Sequence, residues 1–199
     1  MTFDYFAYGS NMLTARLRKR CIFPYKVERA YAADRVIEFS KRSTKDCSGK
    51  ATLRQQAGHS TPGVLFRIPI TDCKSLNRYE GAGKGKGYYR CDKFPVHLTR
   101  NDEIVYARTY LASYTEPNIK PYDWYLALVI AGVLEHDLGA KYQSMLQRVP
   151  YITDTKCDRK DRCEALEVLA VAGFPEHWDL LGSDCRELDT PSNVDNRYC

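Results

Sequence analysis

The stretch FDYFAYGSNM at residues 3–12 passes from an aromatic-rich run to a group of small and polar residues. The aromatic run is typical of a short strand, and Gly9 then breaks it. Ser10 or Asn11 could cap a helix that follows. The sequence therefore predicts a strand, a tight turn and a helix. The backbone N–H groups of such a turn, together with the helix dipole, could bind a carboxylate or an oxyanion.

Beyond this turn, strand patterns dominate the chain up to residue 111. We expect extended chain at residues 25–39 and strands at 51–53, 64–68, 88–98 and 104–111, with a polar connection at 55–62. Because few helices separate these strands, the pattern favours an α+β fold with a small mixed sheet or barrel over regular βαβ repetition.

Helical patterns follow in the second half of the chain. Apolar helices are predicted at residues 124–134 and 140–149, and residues 163–171 fit a helix or a buried strand. We expect residues 1–150 to form one domain and 151–199 to form an extension that packs on it or trails from it, with disorder in 189–199.

Composition and charge limit the classes of function. Of 199 residues, 44% are apolar and 28% are charged, as in an ordinary globular protein, and the 15 tyrosines suit pocket walls. The net charge is +5, with basic residues clustered at 16–20. Since acidic residues are interspersed and no nucleic-acid-binding motif occurs, we interpret the basic cluster as surface charge and expect no nucleic-acid partner. The absence of a secretory or membrane-spanning pattern predicts a cytoplasmic protein without a membrane partner.

The eight cysteines give no metal or redox motif, because no C-x-x-C is present. Cys157, Cys163, His177 and Cys185 have spacings that match no known metal site, so no metal is expected, and the thiols should be mostly reduced.

Glu80 ends a predicted short helix that begins at Thr71-Asp72 and stops at Gly81. The negative end of the helix dipole and partial burial would both disfavour an ionised carboxylate there. Such a group could accept and return a proton, although local sequence alone also fits an exposed glutamate. The Gly-rich tract at 81–87 lacks the spacing of a phosphate-binding loop and fits either a mobile loop beside a pocket or a plain surface loop.

Seven segments taken in order closely resemble the γ-glutamyl cyclotransferase family and its AIG2-like relatives, over residues 3 to 149. The opening FAYGSNM at 6–12 is similar to the N-terminal signature of the family. The other similar segments are SGKAT at 48–52, PGVLF at 62–66, LNRYEG at 76–81, GYYR at 87–90, ARTYL at 107–111, and residues 125–138 followed by Tyr142.

This resemblance implies a small β-barrel with flanking helices, a cavity at one end, and an enzyme without metal or cofactor. It implies that the α-amine of a γ-glutamyl amino acid or amine attacks its own γ-carbonyl, releasing 5-oxoproline and the free amine. Glu80 would carry the proton. The residues that would bind substrate are Tyr8, Gly9, Ser10, Asn11, Tyr89, Tyr110 and Tyr125, with Tyr88 competing with Tyr89.

The resemblance is also compatible with other functions. The same fold could act on another γ-glutamyl substrate, such as glutathione, a γ-glutamyl-ε-lysine or a biosynthetic intermediate, or could form a non-enzymatic small-molecule binding module. Lys84 and Lys86 would favour a substrate with an extra negative charge if they face the cavity. A homodimer is expected only because two-fold dimers are common among soluble enzymes.

Overall fold

The computed structural model describes residues 1–20, 23–82, 87–182 and 186–187. Five strands form a closed barrel in the order β1-β3-β2-β4-β5. Strands β1 and β5 run parallel, and the other neighbouring pairs are antiparallel. The strands are β1 (Thr2–Ala7), β2 (Lys26–Arg42), β3 (Gly49–Pro69), β4 (Tyr88–Leu98) and β5 (Ile104–Ala112). The prediction of a small mixed barrel with flanking helices is confirmed.

Strands β2 and β3 form one long hairpin, so the predicted polar connection at 55–62 is wrong. Ala33 pairs with Ser60 and Arg35 pairs with Gln55, and the chain bulges between these pairs. Asp34 has a φ of 54° at the bulge, and its Oδ1 accepts a hydrogen bond of 2.8 Å from the Gly58 N–H. The polar residues indicate that this part of the hairpin is exposed. They do not exclude strand pairing, because the hydrogen bonds between strands are made by the backbone.

The helices lie outside the barrel. Their bounds are α1 (Thr14–Arg20), α2 (Cys73–Glu80), α3 (Asp123–Glu135), α4 (Ala140–Gln147) and α5 (Lys160–Val171), with short 3₁₀ helices at Ser10–Met12, Ile70–Asp72 and His177–Leu180. The segment predicted as helix or buried strand at 163–171 is therefore helical. Two-residue strands β6 (Tyr151–Ile152) and β7 (Arg186–Glu187) pair in parallel.

Helix α3 fixes the position of the N-terminal turn. All its residues from Asp123 to Val133 are buried, as expected for a helix that is apolar on every side. A Cβ on Gly132 would lie 2.6 Å from the Cβ of Met12 and 2.8 Å from the backbone nitrogen of Leu13. Only glycine allows the turn and the helix to approach this closely.

The chain after residue 150 also packs on α3. The indole Nε1 of Trp124 donates to Oδ2 of Asp154 over 2.9 Å. The ring of His177 lies 3.0 Å from Oδ2 of Asp123, and both residues are buried. These buried contacts hold residues 151–182 against the helix. The disorder predicted at 189–199 falls outside the described residues.

None of the helices described is long and apolar enough to cross a membrane. Cys73, Cys91, Cys157 and Cys163 are free thiols, whereas Cys47 is disulfide-bonded.

Candidate active site

A cavity of about 380 Å³ lies between the N-terminal turn, the end of the β2–β3 hairpin where residues 43–48 join the two strands, the end of α2, and helices α3 and α5. It brings together most of the residues predicted to form the site. Tyr8, Gly9, Ser10, Asn11, Glu80, Tyr110 and Tyr125 all line it.

The turn at residues 9–11 does not cap a helix through its side chains. Gly9 occupies the N-cap position of the 3₁₀ helix, which makes no side-chain cap bond. Ser10 and Asn11 are buried, and their side chains bond to other elements instead. Ser10 Oγ accepts from Nε of Arg16 over 3.1 Å. The predicted capping role is therefore wrong, because burial directs both side chains towards partners inside the protein.

Glu80 lies at the C-terminal end of α2, as predicted. Gly81 ends the helix with a φ of 64°, and the N–H of Ala82 donates to the carbonyl of Asn77 over 2.9 Å. This left-handed termination turns the chain sharply after Glu80. The Glu80 side chain is 13% exposed and can therefore meet both the protein interior and a ligand in the cavity.

Asn11 and Arg20 hold one oxygen of Glu80. Oε1 accepts from Asn11 Nδ2 over 2.6 Å and from Arg20 Nη1 over 3.2 Å. Asn11 Oδ1 accepts from the same Arg20 nitrogen over 2.8 Å, which closes the cluster. In the described part of the chain no donor contacts Oε2 of Glu80, so this oxygen can meet a ligand.

The tyrosines of the cavity form a hydrogen-bonded wall. Tyr8 donates to the carbonyl of Tyr110, and the Tyr110 hydroxyl donates to Asn77 Oδ1 over 2.6 Å. The Tyr125 hydroxyl accepts from the N–H of Ala51 over 3.1 Å. Burial raises the pKa of Tyr8 well above its usual value, and the nearby charge of Glu80 adds to this effect. These phenols stay neutral near pH 7, so they orient groups rather than act as bases.

Tyr89 does not line the cavity, which corrects that part of the predicted site. Its side chain is 49% exposed. Tyr88 lines the cavity instead, and its hydroxyl donates to the carbonyl of Ala51 over 2.7 Å. Neighbouring residues of a strand point to opposite faces, so only one of the two can face inwards. Lys84 and Lys86 of the Gly-rich tract lie outside the described residues.

Basic side chains that were not predicted as site residues also line the cavity. Arg16 and Arg20 belong to the cluster interpreted as surface charge, yet Arg16 is 6% exposed and the Arg20 side chain 14%. Their spacing with Leu13 and Leu17 could have shown this, because positions 13, 16, 17 and 20 share one face of a helix. The other basic residues that line the cavity are Lys41, Lys45, Lys50 and Arg78.

Lys50 forms an ion pair with Asp46 on one wall of the cavity. Its Nζ lies 3.1 Å from Asp46 Oδ2 and 2.8 Å from Ser48 Oγ, and 4.6 Å from the ring centres of both Trp124 and Tyr125. Burial lowers the pKa of Lys50 to about 8, although Asp46 acts in the opposite direction.

Helix α5 completes the cavity with acidic side chains. Asp161 and Glu164 line it, and Asp161 accepts from Nζ of Lys45 over 3.0 Å. The described residues contain no group of His, Cys, Asp and Glu arranged to hold a metal ion.

Comparison with known proteins identifies the family. A sequence profile of the AIG2-like family matches residues 61–146. The chain is 31% identical to mouse γ-glutamylcyclotransferase and 29% identical to the human protein, in each case over 74% of this chain and 79% of the relative. A solved structure of a γ-glutamyl cyclotransferase superposes with a TM-score of 0.73 at 26% identity, covering 82% of this chain and 97% of the other. The chain therefore belongs to the γ-glutamylcyclotransferase family.

Proposed function

We propose that this enzyme converts a γ-glutamyl compound into 5-oxoproline and a free amine. The α-amine nitrogen bonds to the γ-carbonyl carbon of the same molecule, and the bond from that carbon to the leaving nitrogen breaks. The α-ammonium gives up two protons to become the ring amide N–H, and the departing nitrogen takes up two to leave as an ammonium. The reaction is therefore balanced without an external proton source or cofactor.

Glu80 is proposed to carry these protons. The observation that supports this role is the hydrogen bond from Asn11 to Glu80 Oε1, which joins the N-terminal turn to the end of α2. Asn11 and Arg20 fix one carboxylate oxygen, while Oε2 faces the substrate. A carboxylate positioned in this way can take a proton from the α-ammonium and return one to the departing amine.

The remaining site residues are proposed to orient the substrate. Backbone N–H groups at Gly9, Ser10 and Asn11 would bind the γ-carbonyl oxygen as negative charge develops on it. Gly9 lies against Ala51 and the Tyr125 hydroxyl, since a Cβ on Gly9 would be 3.2 Å from one and 3.6 Å from the other. The neutral phenols of Tyr8, Tyr110 and Tyr125 then close the wall around the substrate, which would favour ring closure by holding the reacting atoms together.

The proposal is tested by measuring 5-oxoproline release from a panel that contains γ-glutamyl amino acids, γ-glutamyl amines, glutathione and γ-glutamyl-ε-lysine. Glu80→Gln keeps the shape of the side chain and removes the titrating group. It should lower kcat by about 10²- to 10⁴-fold and leave substrate affinity within about tenfold, because the loss falls on proton transfer.

Glu167→Gln on the exposed face of α5 is the matched control and should retain activity, since Glu167 is 70% exposed and pairs with Lys19 at the surface, away from the cavity lining. Turnover by Glu80→Gln at the wild-type rate would remove Glu80 from the mechanism. A folded wild-type protein that releases 5-oxoproline from no compound would instead support a binding role. The cytoplasmic location and the homodimer stay predictions.

A further inference from the structure

Two buried cations line the cavity without an acidic partner. Arg20, Lys45 and Lys50 each lie at ion-pair distance from a carboxylate, namely Glu80, Asp161 and Asp46. Arg16 is 6% exposed and Lys41 is 7% exposed, and neither forms an ion pair within the described part of the chain. A buried charge without a partner is costly. Two such cations in a cavity wall therefore indicate a ligand that carries negative charge.

Arg16 has an unsatisfied nitrogen in the cavity wall. Its Nε donates to Ser10 Oγ over 3.1 Å, while its Nη1 is buried and makes no hydrogen bond. A guanidinium with a free donor beside the N-terminal turn is suited to receive a carboxylate, because guanidinium and carboxylate groups match in shape.

Lys41 lies on a different wall. Its Nζ is 5.1 Å from the ring centre of Tyr88. In the hairpin Lys41 pairs directly with Lys50, and like charges directly opposite each other on a sheet repel. Asp46 offsets the charge of Lys50, so the charge of Lys41 remains to be offset. Glu80 and Asp46 act on Lys41 only through longer-range attraction, and burial lowers its pKa.

The charges of a γ-glutamyl amino acid complement this cavity. Such a compound has one ammonium and two carboxylates. The cavity offers Glu80 for the ammonium, and it offers Arg16 and Lys41, which are buried and form no ion pair within the described residues, for the carboxylates. Arg78 also lines the cavity but is exposed, and Glu164 attracts Arg16 only at longer range. A γ-glutamyl amine lacks the second carboxylate and would leave one cation buried without a partner. An unpaired buried group of this kind discriminates strongly against the compound that fails to satisfy it.

We infer, on the basis of the proposed cyclotransferase function, that Arg16 binds the α-carboxylate of the glutamyl group and Lys41 binds the carboxylate of the leaving amino acid. Arg16 bonds to Ser10, the neighbour of the residue that holds Glu80, so it lies next to the end of the substrate that reacts. Lys41 bonds to neither the turn nor Glu80 and contacts Tyr88. Lys41 is therefore the residue that selects an amino acid over a simple amine as leaving group.

The test compares γ-glutamyl-alanine with γ-glutamyl-ethylamine, which differ only by the carboxylate of the leaving group. Wild-type kcat/KM should favour the alanine compound by about tenfold or more, the factor expected for one charged hydrogen bond. Lys41→Met should reduce this preference to less than about threefold, mainly through a higher KM for the alanine compound. Lys41→Arg should restore most of the preference.

Two other variants separate the roles. Lys45→Met removes a charge from the same cavity, but Lys45 is paired with Asp161, so the preference should stay as in the wild type. Arg16→Lys should raise KM for both compounds by the same factor, because both carry the α-carboxylate. If Arg16→Lys raised KM for γ-glutamyl-alanine alone, the assignment of Arg16 to the α-carboxylate would be wrong.

The outcomes also separate this inference from the proposed function. If wild type releases 5-oxoproline equally well from both compounds, or if Lys41→Met keeps the preference, the role of Lys41 is wrong and the reaction stands. If neither compound nor any other γ-glutamyl compound is turned over, the proposed function itself fails.

Discussion

Lys41 and Lys50 are direct neighbours across the β2–β3 hairpin and line the same cavity, yet their surroundings differ. Lys50 is enclosed by Asp46, Ser48 and two aromatic rings. Lys41 contacts one ring and no carboxylate within the described residues. A buried charge that the protein itself neutralises is part of the architecture, whereas one left open is available to a ligand. The same residue type can therefore have a structural role on one strand and a binding role on the next.

The largest expected effect is a difference in stability between matched variants of these two lysines. Lys50→Met leaves the Asp46 carboxylate, whose side chain is 1% exposed, without its cation. This should lower the free energy of unfolding by about 3 kcal/mol, near the lower end for a broken buried pair, because Ser48 still donates to Asp46. Lys41→Met removes an unpaired charge and should leave stability unchanged or raise it by up to about 1 kcal/mol.

Urea denaturation at pH 7 without ligand measures both variants. Equal losses of stability from Lys41→Met and Lys50→Met would mean that Lys41 has a structural partner after all. That result would contradict the contrast between the two residues and the ligand role of Lys41 with it.

A second effect is a dependence of stability on pH. Burial lowers the pKa of Lys50 to about 8 and that of Arg16 to about 9, and it lowers the pKa of Lys41 as well. Between pH 8 and the higher pKa values of the unfolded chain, the unfolded state therefore binds more protons than the folded state. The free energy of unfolding of the ligand-free protein should rise with pH from about 8 to 10, by up to about 1.4 kcal/mol per pH unit for each group.

Above pH 10 the trend should reverse, because burial raises the pKa of Tyr8 and Tyr88 and only the unfolded chain then ionises these residues. Lys50→Met and Lys41→Met should each flatten the rise between pH 8 and 10. A wild-type profile that is flat across this range, measured by denaturation at constant ionic strength, would show that the cations are better solvated than their burial indicates.

The sequence was sufficient to predict the barrel, because short motifs in a fixed order resemble one family. It was insufficient for Lys41, since nothing local shows that this residue pairs with Lys50 across a hairpin. Arg16 was misplaced on the surface because charge was considered without the helical spacing that it shares with Leu13 and Leu17. The connection expected at 55–62 was wrong for a similar reason, because polar composition indicates exposure and says little about backbone pairing.

The smallest expected effect concerns Tyr88 and Tyr89, where a difference of one residue in register decides which ring faces the cavity. Tyr88→Phe removes the bond from its hydroxyl to the carbonyl of Ala51, which should cost about 1 kcal/mol of stability. It also alters the ring beneath Lys41, so kcat/KM for γ-glutamyl-alanine should fall by less than about tenfold. Tyr89→Phe changes a half-exposed side chain and should alter neither quantity by a measurable amount. A larger loss from Tyr89→Phe than from Tyr88→Phe would place Tyr89 inside, and it would then remove the aromatic contact assigned to Lys41, because the two tyrosines cannot both face the cavity from one regular strand.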